Sequence, residues 1–109
     1  MSGKRVVLRE RADRDVDEAV EHYLREAGEK IALGFVDALE RACAHIARHP
    51  ATGSSRHAHE LNLPGLRAWP LKRYPYLLFY VERDDHVDVW RLLRAERDIP
   101  AWLWEPEDP

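Results

Sequence analysis

The run Tyr76-Leu77-Leu78-Phe79-Tyr80-Val81 constrains the fold more than any other stretch of the chain. Along a strand, successive side chains point to opposite faces, so Tyr76, Leu78 and Tyr80 face one way and Leu77, Phe79 and Val81 the other. A strand that is apolar on both faces has to be covered on both, which makes it a central strand. Its neighbours flank it in sequence. Leu66 to Arg73 follows a Pro64-Gly65 turn, and His86 to Arg94 follows a tight turn at Asp84-Asp85. Connections this short make the three strands an antiparallel meander. On the last of them, alternation groups Trp90 and Leu92 with Asp88 and Arg94, and Val87, Val89 and Leu93 with Arg91. A face that mixes Trp, Leu and Arg has the composition of an interface core.

Upstream, Val6, Val7 and Leu8 form a short β-branched run with the character of an edge strand. From Ala12 the period becomes helical. Val16, Ala19, Val20, Tyr23, Leu24 and Ala27 form one stripe, opposite Asp15, Asp17, Glu18 and Glu21, with Asp13 as N-cap and Gly28 as stop. A second helix carries Ile31, Phe35, Leu39, Ala42 and Ile46, with Val36 and Cys43 beside them, and ends at His49-Pro50. So short a link makes the two helices an antiparallel hairpin. Pro50 to His59 reads as an irregular loop. The expected fold is therefore α+β: an N-terminal strand, a helical hairpin, then a three-stranded meander in one sheet with the helices on one face. The hairpin covers only that face. The other needs either the Trp102 to Trp104 segment folded back or a partner.

At 109 residues the chain suits one domain with a core that needs neither disulfide nor metal. The net charge of −3 resolves into −1 over residues 1–55, +2 over 56–97 and −4 over 98–109. Such a balance implies no strong direct binding of nucleic acid, only a basic face in the second half. With one cysteine, no apolar leader and no run of membrane-spanning length, a cytoplasmic protein without membrane association is expected. None of the five glycines sits in a P-loop, Rossmann or nucleophile-elbow pattern, and no cofactor is expected. His45 and His49, four apart on the second helix near Cys43, have ligand spacing, but with no third ligand nearby the expectation is no metal site. Arg67, Arg73 and His57 or His59 could clamp a phosphate and supply an acid and a base, as a metal-independent ribonuclease requires.

Several stretches together carry a resemblance. Ala12 and Asp15-Val16 open the first helix, with Tyr23 within it and Phe35 and Leu39 in the second; Pro50 and Gly53 follow, then Leu66-Arg67, Arg73-Tyr74-Pro75-Tyr76 and Phe79-Tyr80. Val87-Asp88-Val89-Trp90-Arg91-Leu92-Leu93 and Arg97-Asp98-Ile99-Pro100 complete the series. Their order and spacing resemble the ParE branch of the RelE/ParE toxin superfamily, over a single domain of residues 1–109 with its core at about 6–103. The resemblance implies the toxin of a type II toxin–antitoxin module, inhibiting DNA gyrase and neutralised by a ParD-like antitoxin. Its alternatives are a RelE-like ribosome-dependent mRNA endoribonuclease and an antitoxin-binding member without toxicity. Where the ribonucleases place a C-terminal arginine and tyrosine, this chain has Glu96 and Trp102, which removes a transition-state cation and a ring hydroxyl. Arg94 stands where many ParE relatives carry histidine. The residues expected to meet the antitoxin or target are Trp69, Tyr80, Trp90, Arg91, Arg94, Arg97, Trp102 and Trp104.

Overall fold

A computed structural model describes residues 3–95. The elements are β1 (Arg5–Leu8), α1 (Glu10–Glu26), α2 (Glu29–Arg48), a 3-10 turn at Pro50–Thr52, α3 (Arg56–Leu61), β2 (Leu66–Pro70), β3 (Tyr76–Glu82) and β4 (His86–Arg94). They build one four-stranded sheet in the order β1-β4-β3-β2. β3 is central, as its apolar run requires, and β2, β3 and β4 form the antiparallel meander. β1 is an edge strand and pairs parallel to β4, which makes the sheet mixed. The other edge is short: β2 stops at Pro70, and Ser54 and Ala68 exchange backbone hydrogen bonds of 2.9 Å along its open side. Such capping blunts an edge that would otherwise template further strands.

The helical hairpin packs on one face of the sheet. There Phe35, Leu39, Ala42 and Ile46 meet Tyr76, Leu78, Tyr80, Val87 and Val89. Gly28 adopts φ +95° at the link, and its N–H and that of Ala27 both donate to Tyr23 O. Such a left-handed residue ends α1 as expected. Three expectations for the hairpin need correction. α1 starts at Glu10, because Arg9 N–H is still held by Val89 O at 3.0 Å and the helix turns directly off the strand; Asp13 lies in the first turn and caps nothing. The buried positions of α1 are Ala12, Asp15 and Ala19, whereas Leu24 is exposed. On α2, Ala32 and Ala38 are buried and Ile31 is exposed, since small side chains let the helix lie closer to its neighbours.

The second face is not left to a partner alone. α3, which begins inside the stretch expected to be irregular and ends two residues beyond it, places Leu61 and Ala58 in a cluster with Leu66, Ala68, Phe79 and Val81. Leu77, Leu93 and Trp90 extend that cluster. The expected Trp102 to Trp104 cover lies outside the described residues.

A β-bulge corrects the face assignment on β4. Phe79 pairs with Arg91 but Tyr80 pairs with Val89, so one residue of β4 is skipped and the alternation slips. Leu92 joins Val87 and Val89 on the hairpin side, and Leu93 joins Trp90 on the other.

Tyr80 is fully buried, and its hydroxyl donates to Pro50 O at 2.7 Å while accepting from Gly53 N–H at 3.1 Å. A side chain on Gly53 would run into that hydroxyl. Tyr80→Phe would strand both backbone groups and is expected to destabilise the fold by about 1–3 kcal/mol. Urea denaturation of the variant measures it; a loss below about 0.5 kcal/mol would mean that water replaces the hydroxyl.

Candidate partner-binding site

β1 pairs with β4 only as far as Leu8 opposite Val89, while β4 continues to Arg94. Past the end of β1, α1 takes over the flank. Asp15 accepts the Leu92 N–H at 3.0 Å, where a strand neighbour would otherwise have done so, and receives the Arg91 guanidinium at 2.8 and 3.1 Å. Both side chains are buried, Arg91 to 4% exposure and Asp15 to 9%. Beyond this pair a cleft of about 440 Å³ opens between α1 and β4, lined by Asp15, Glu18, Ala19, His22, Tyr76, Leu92, Leu93 and Arg94. Its lining mixes four apolar side chains with Asp15, Glu18, His22 and Arg94, a make-up shared by protein interfaces.

A polar cluster bridges β1 and β4. The Asp88 carboxylate accepts from Arg9 at 3.0 and 3.1 Å, from Arg83 at 3.0 and 3.2 Å and from Trp90 Nε1–H at 3.2 Å. Burial by itself works against the charged form of Asp88, but these donors outweigh it and hold the carboxyl below its ordinary range. The Arg9 guanidinium also lies 4.5 Å over the Trp90 ring. Two guanidinium groups on one carboxylate leave an excess positive charge beside an aromatic ring. That combination recurs at protein interfaces.

A third feature lies beside α3. A hollow of about 340 Å³ is lined by Ser55, Ala58, His59, Asn62, Pro64, Gly65, Leu66 and Arg67. Arg67 donates to Gly53 O at 2.9 Å.

The expected site residues fall into distinct places. Tyr80 and Arg91 are buried and serve the interior, so neither presents a surface. Trp69 is half-buried on β2, with the His45 ring stacked on it at 3.9 Å. Trp90 and Arg94 are half-buried; Arg94 stands over Tyr76 at 5.7 Å on the rim of the α1–β4 cleft. Arg97, Trp102 and Trp104 lie outside the described residues. Of the ribonuclease set, Arg67 and His59 share the hollow beside α3, whereas His57 turns its ring onto Phe79 at 5.2 Å and Arg73 sits in the turn before β3. Sequence reading passed over Arg9, Arg83 and Asp15. Asp15 carried a signal, because it is spaced three and four residues from the buried Ala12 and Ala19.

Among the described residues no group of three or more His, Cys, Asp and Glu side chains is placed to hold a metal. His45 Nε2 is already engaged with Thr52 Oγ1 at 2.9 Å. Burial, with the charge of Glu40 nearby, pushes the Cys43 thiol up to about 11. At pH 8 only roughly a thousandth of it is then thiolate, against roughly a quarter of an unperturbed thiol. Iodoacetamide should label the folded protein at least ~100-fold more slowly than the urea-unfolded chain; equal rates would refute the buried environment.

Residues 6–99 match the family described as ParE toxin of type II toxin–antitoxin system, parDE. The chain belongs to the ParE toxin family. A solved structure described as a chromosomal ParDE TA system from P. aeruginosa is similar in fold, with a TM-score of 0.71 and 22% sequence identity. The superposition covers 85% of this chain and 97% of that one. No curated protein matches. The family resemblance read from the sequence is thereby established, and with it the strand, helical hairpin and three-strand order of the ParE fold. Among the described residues no helix is long and apolar enough to cross a membrane.

Proposed function

We propose that this ParE-family toxin acts by binding rather than by catalysis: it inhibits DNA gyrase in the cytoplasm and is silenced by direct binding of a cognate ParD-like antitoxin. Membership of the ParE family over residues 6–99 is the observation that carries this reading. The α1–β4 cleft adds support, since it sets apolar and charged side chains side by side where α1 takes over from β1 along β4. An antitoxin segment lying there as a helix or an added strand would use modes of peptide recognition common to grooves and sheet edges. Trp69, Trp90, Arg94, Arg97, Trp102 and Trp104 remain the proposed contacts, without Tyr80 and Arg91.

A second reading keeps one observation in its favour. Arg67 and His59 line the same hollow, and a cation beside an imidazole is the minimum a ribonuclease of this superfamily would need. Expression from a tight promoter, with and without the neighbouring open reading frame, separates the two. Growth arrest with a DNA-damage response, relieved by the neighbour, is the expected outcome. Cleaved transcripts without DNA damage would sink the gyrase reading, and harmless expression would sink toxicity altogether.

A further inference from the structure

α3 lies against β2 and covers that half of the second sheet face. The half built by β4 and β1 stays open among the described residues. Val7 turns to this side, since Val6 and Leu8 pack on the hairpin side, and it is 39% exposed. Trp90, on the adjoining strand, is half-buried. Cations gather at the same place. Arg9 stands over the Trp90 ring and shares Asp88 with Arg83, and the two arginine side chains remain 37% and 44% exposed. Arg11, one helical turn before Asp15 on α1, brings a third arginine to the flank of β4.

The chain itself carries the complement. β4 ends at Arg94 and Ala95 N–H is tied to Pro75 O at 2.9 Å, so the residues beyond start from the end of the strand that bears Trp90. Residues 98–109 hold no Lys or Arg but four carboxylates, Asp98, Glu105, Glu107 and Asp108, around the apolar trio Trp102-Leu103-Trp104. Their reach suffices. Trp90 stands four residues before Arg94, roughly 13 Å back along the strand, and Asp88 six residues, roughly 20 Å. Trp102 follows Arg94 by eight residues and Glu105 by eleven, enough for roughly 26 and 36 Å of extended chain. Both therefore reach their counterparts with residues left for the reversal. We propose that residues 100–109 fold back along the open half of the second face, seating Trp102 and Trp104 against Trp90 and Val7 and setting Glu105, Glu107 and Asp108 opposite Arg9, Arg11 and Arg83.

A segment joined to the surface by so short a link meets it at a high effective concentration, which a separate molecule has to match. The α1–β4 cleft is nearer to Arg94, but its lining has two carboxylates against one arginine and suits an acidic segment less. Beside Trp90 the balance is reversed, with two guanidinium groups on one carboxylate. The docking involves this chain alone and is independent of the partner proposed above. Once seated, Trp102 and Trp104 join Trp90 on one surface, so the tail helps to build the patch that a partner meets.

Nuclear magnetic resonance of the full chain and of a chain ending at Ile99 tests this docking. Removing residues 100–109 should shift the amide signals of Val7, Arg9 and Trp90 and the Trp90 indole N–H, and leave those of Ala58 and Leu61 on α3 in place. The melting temperature should fall by about 4–8 °C. In the full chain, Glu105→Lys with Glu107→Lys and Asp108→Lys should reproduce most of these shifts, and raised salt part of them. Trp102→Ala with Trp104→Ala should do likewise, since the rings supply most of the buried area. Should the shortened chain fail to fold, these full-length variants give the same reading. Unmoved signals at Val7, Arg9 and Trp90 would overturn the proposal, and so would shifts confined to the lining of the α1–β4 cleft. A charge-swapped tail without effect would refute the pairing with the arginines. Shifts that appear only on concentration, with sedimentation showing a dimer, would assign the tail to a second copy. Trp90 signals that differ only once the purified product of the adjacent gene is added would assign the surface to that partner; either result refutes the self-docking.

Discussion

Asp15→Ala is expected to cost the protein about 3–5 kcal/mol, because it leaves the Arg91 guanidinium buried without its counter-charge. It also strands the Leu92 N–H, which has Asp15 as its acceptor where β1 has ended. A domain of this size has about 5–15 kcal/mol of stability in all, so the variant should lose a large fraction of it. Asp15→Asn should lose less, since the amide oxygen still accepts from Leu92. Replacing both partners with apolar residues, Asp15→Leu with Arg91→Met, should recover much of the loss, as removing a buried pair is milder than breaking it. Urea denaturation across the three variants reports the ranking. An Asp15→Ala variant within 1 kcal/mol of wild type would mean that water reaches the pair.

Phe35→Ala should be destabilising to the same degree, about 3–5 kcal/mol, for a different reason. The ring is fully buried and makes aromatic contacts with Tyr23 at 5.4 Å, Tyr74 at 5.6 Å and Tyr76 at 5.4 Å. Its removal opens a cavity between α2, α1 and the start of β3, and the packing around Tyr74 loosens with it. The expected readout is a fall in thermal stability accompanied by loss of near-ultraviolet circular dichroism and faster amide exchange at Leu71 and Tyr76. Phe35→Leu should keep most of the packing volume and most of the stability. Exchange at the turn unchanged in Phe35→Ala would show that Tyr74 is held by its hydroxyl alone, which donates to Ile31 O at 3.0 Å.

These two sites differ in how far the sequence disclosed them. Phe35 stood out because an amphipathic stripe at helical spacing records burial directly, and the apolar run of β3 recorded its central place in the same way. Asp15 was harder, since a carboxylate on a helix is ordinarily a solvent-facing residue; only its spacing from Ala12 and Ala19 betrayed it. The bulge on β4 left no local mark at all. Counting by twos along His86 to Arg94 cannot register a skipped residue, so Leu92 and Leu93 exchanged faces unseen. α3 escaped notice because Arg56-His57-Ala58-His59-Glu60-Leu61 buries a single large apolar residue, too little for periodicity to report. The candidate surface is less legible than the core for a related reason. Arg83 reaches Asp88 through the β3–β4 turn, whereas Arg9 is remote from it in sequence and only the parallel pairing of β1 with β4 brings it in.

That pairing also bears on how the molecule comes into being. Arg5 meets His86 and Leu8 meets Val89, so β1 waits for a strand 81 residues further along the chain before it has anywhere to dock. Closing so large a loop is entropically demanding, and contacts of this kind form late in folding. The β3–β4 hairpin and the helical pair are local and can assemble first; the Arg9–Asp88–Arg83 cluster cannot. During synthesis, therefore, a nascent chain exists as helices and a partial sheet until β4 has left the ribosome, and the polar cluster on which β1 closes is among the last parts of the toxin to take shape.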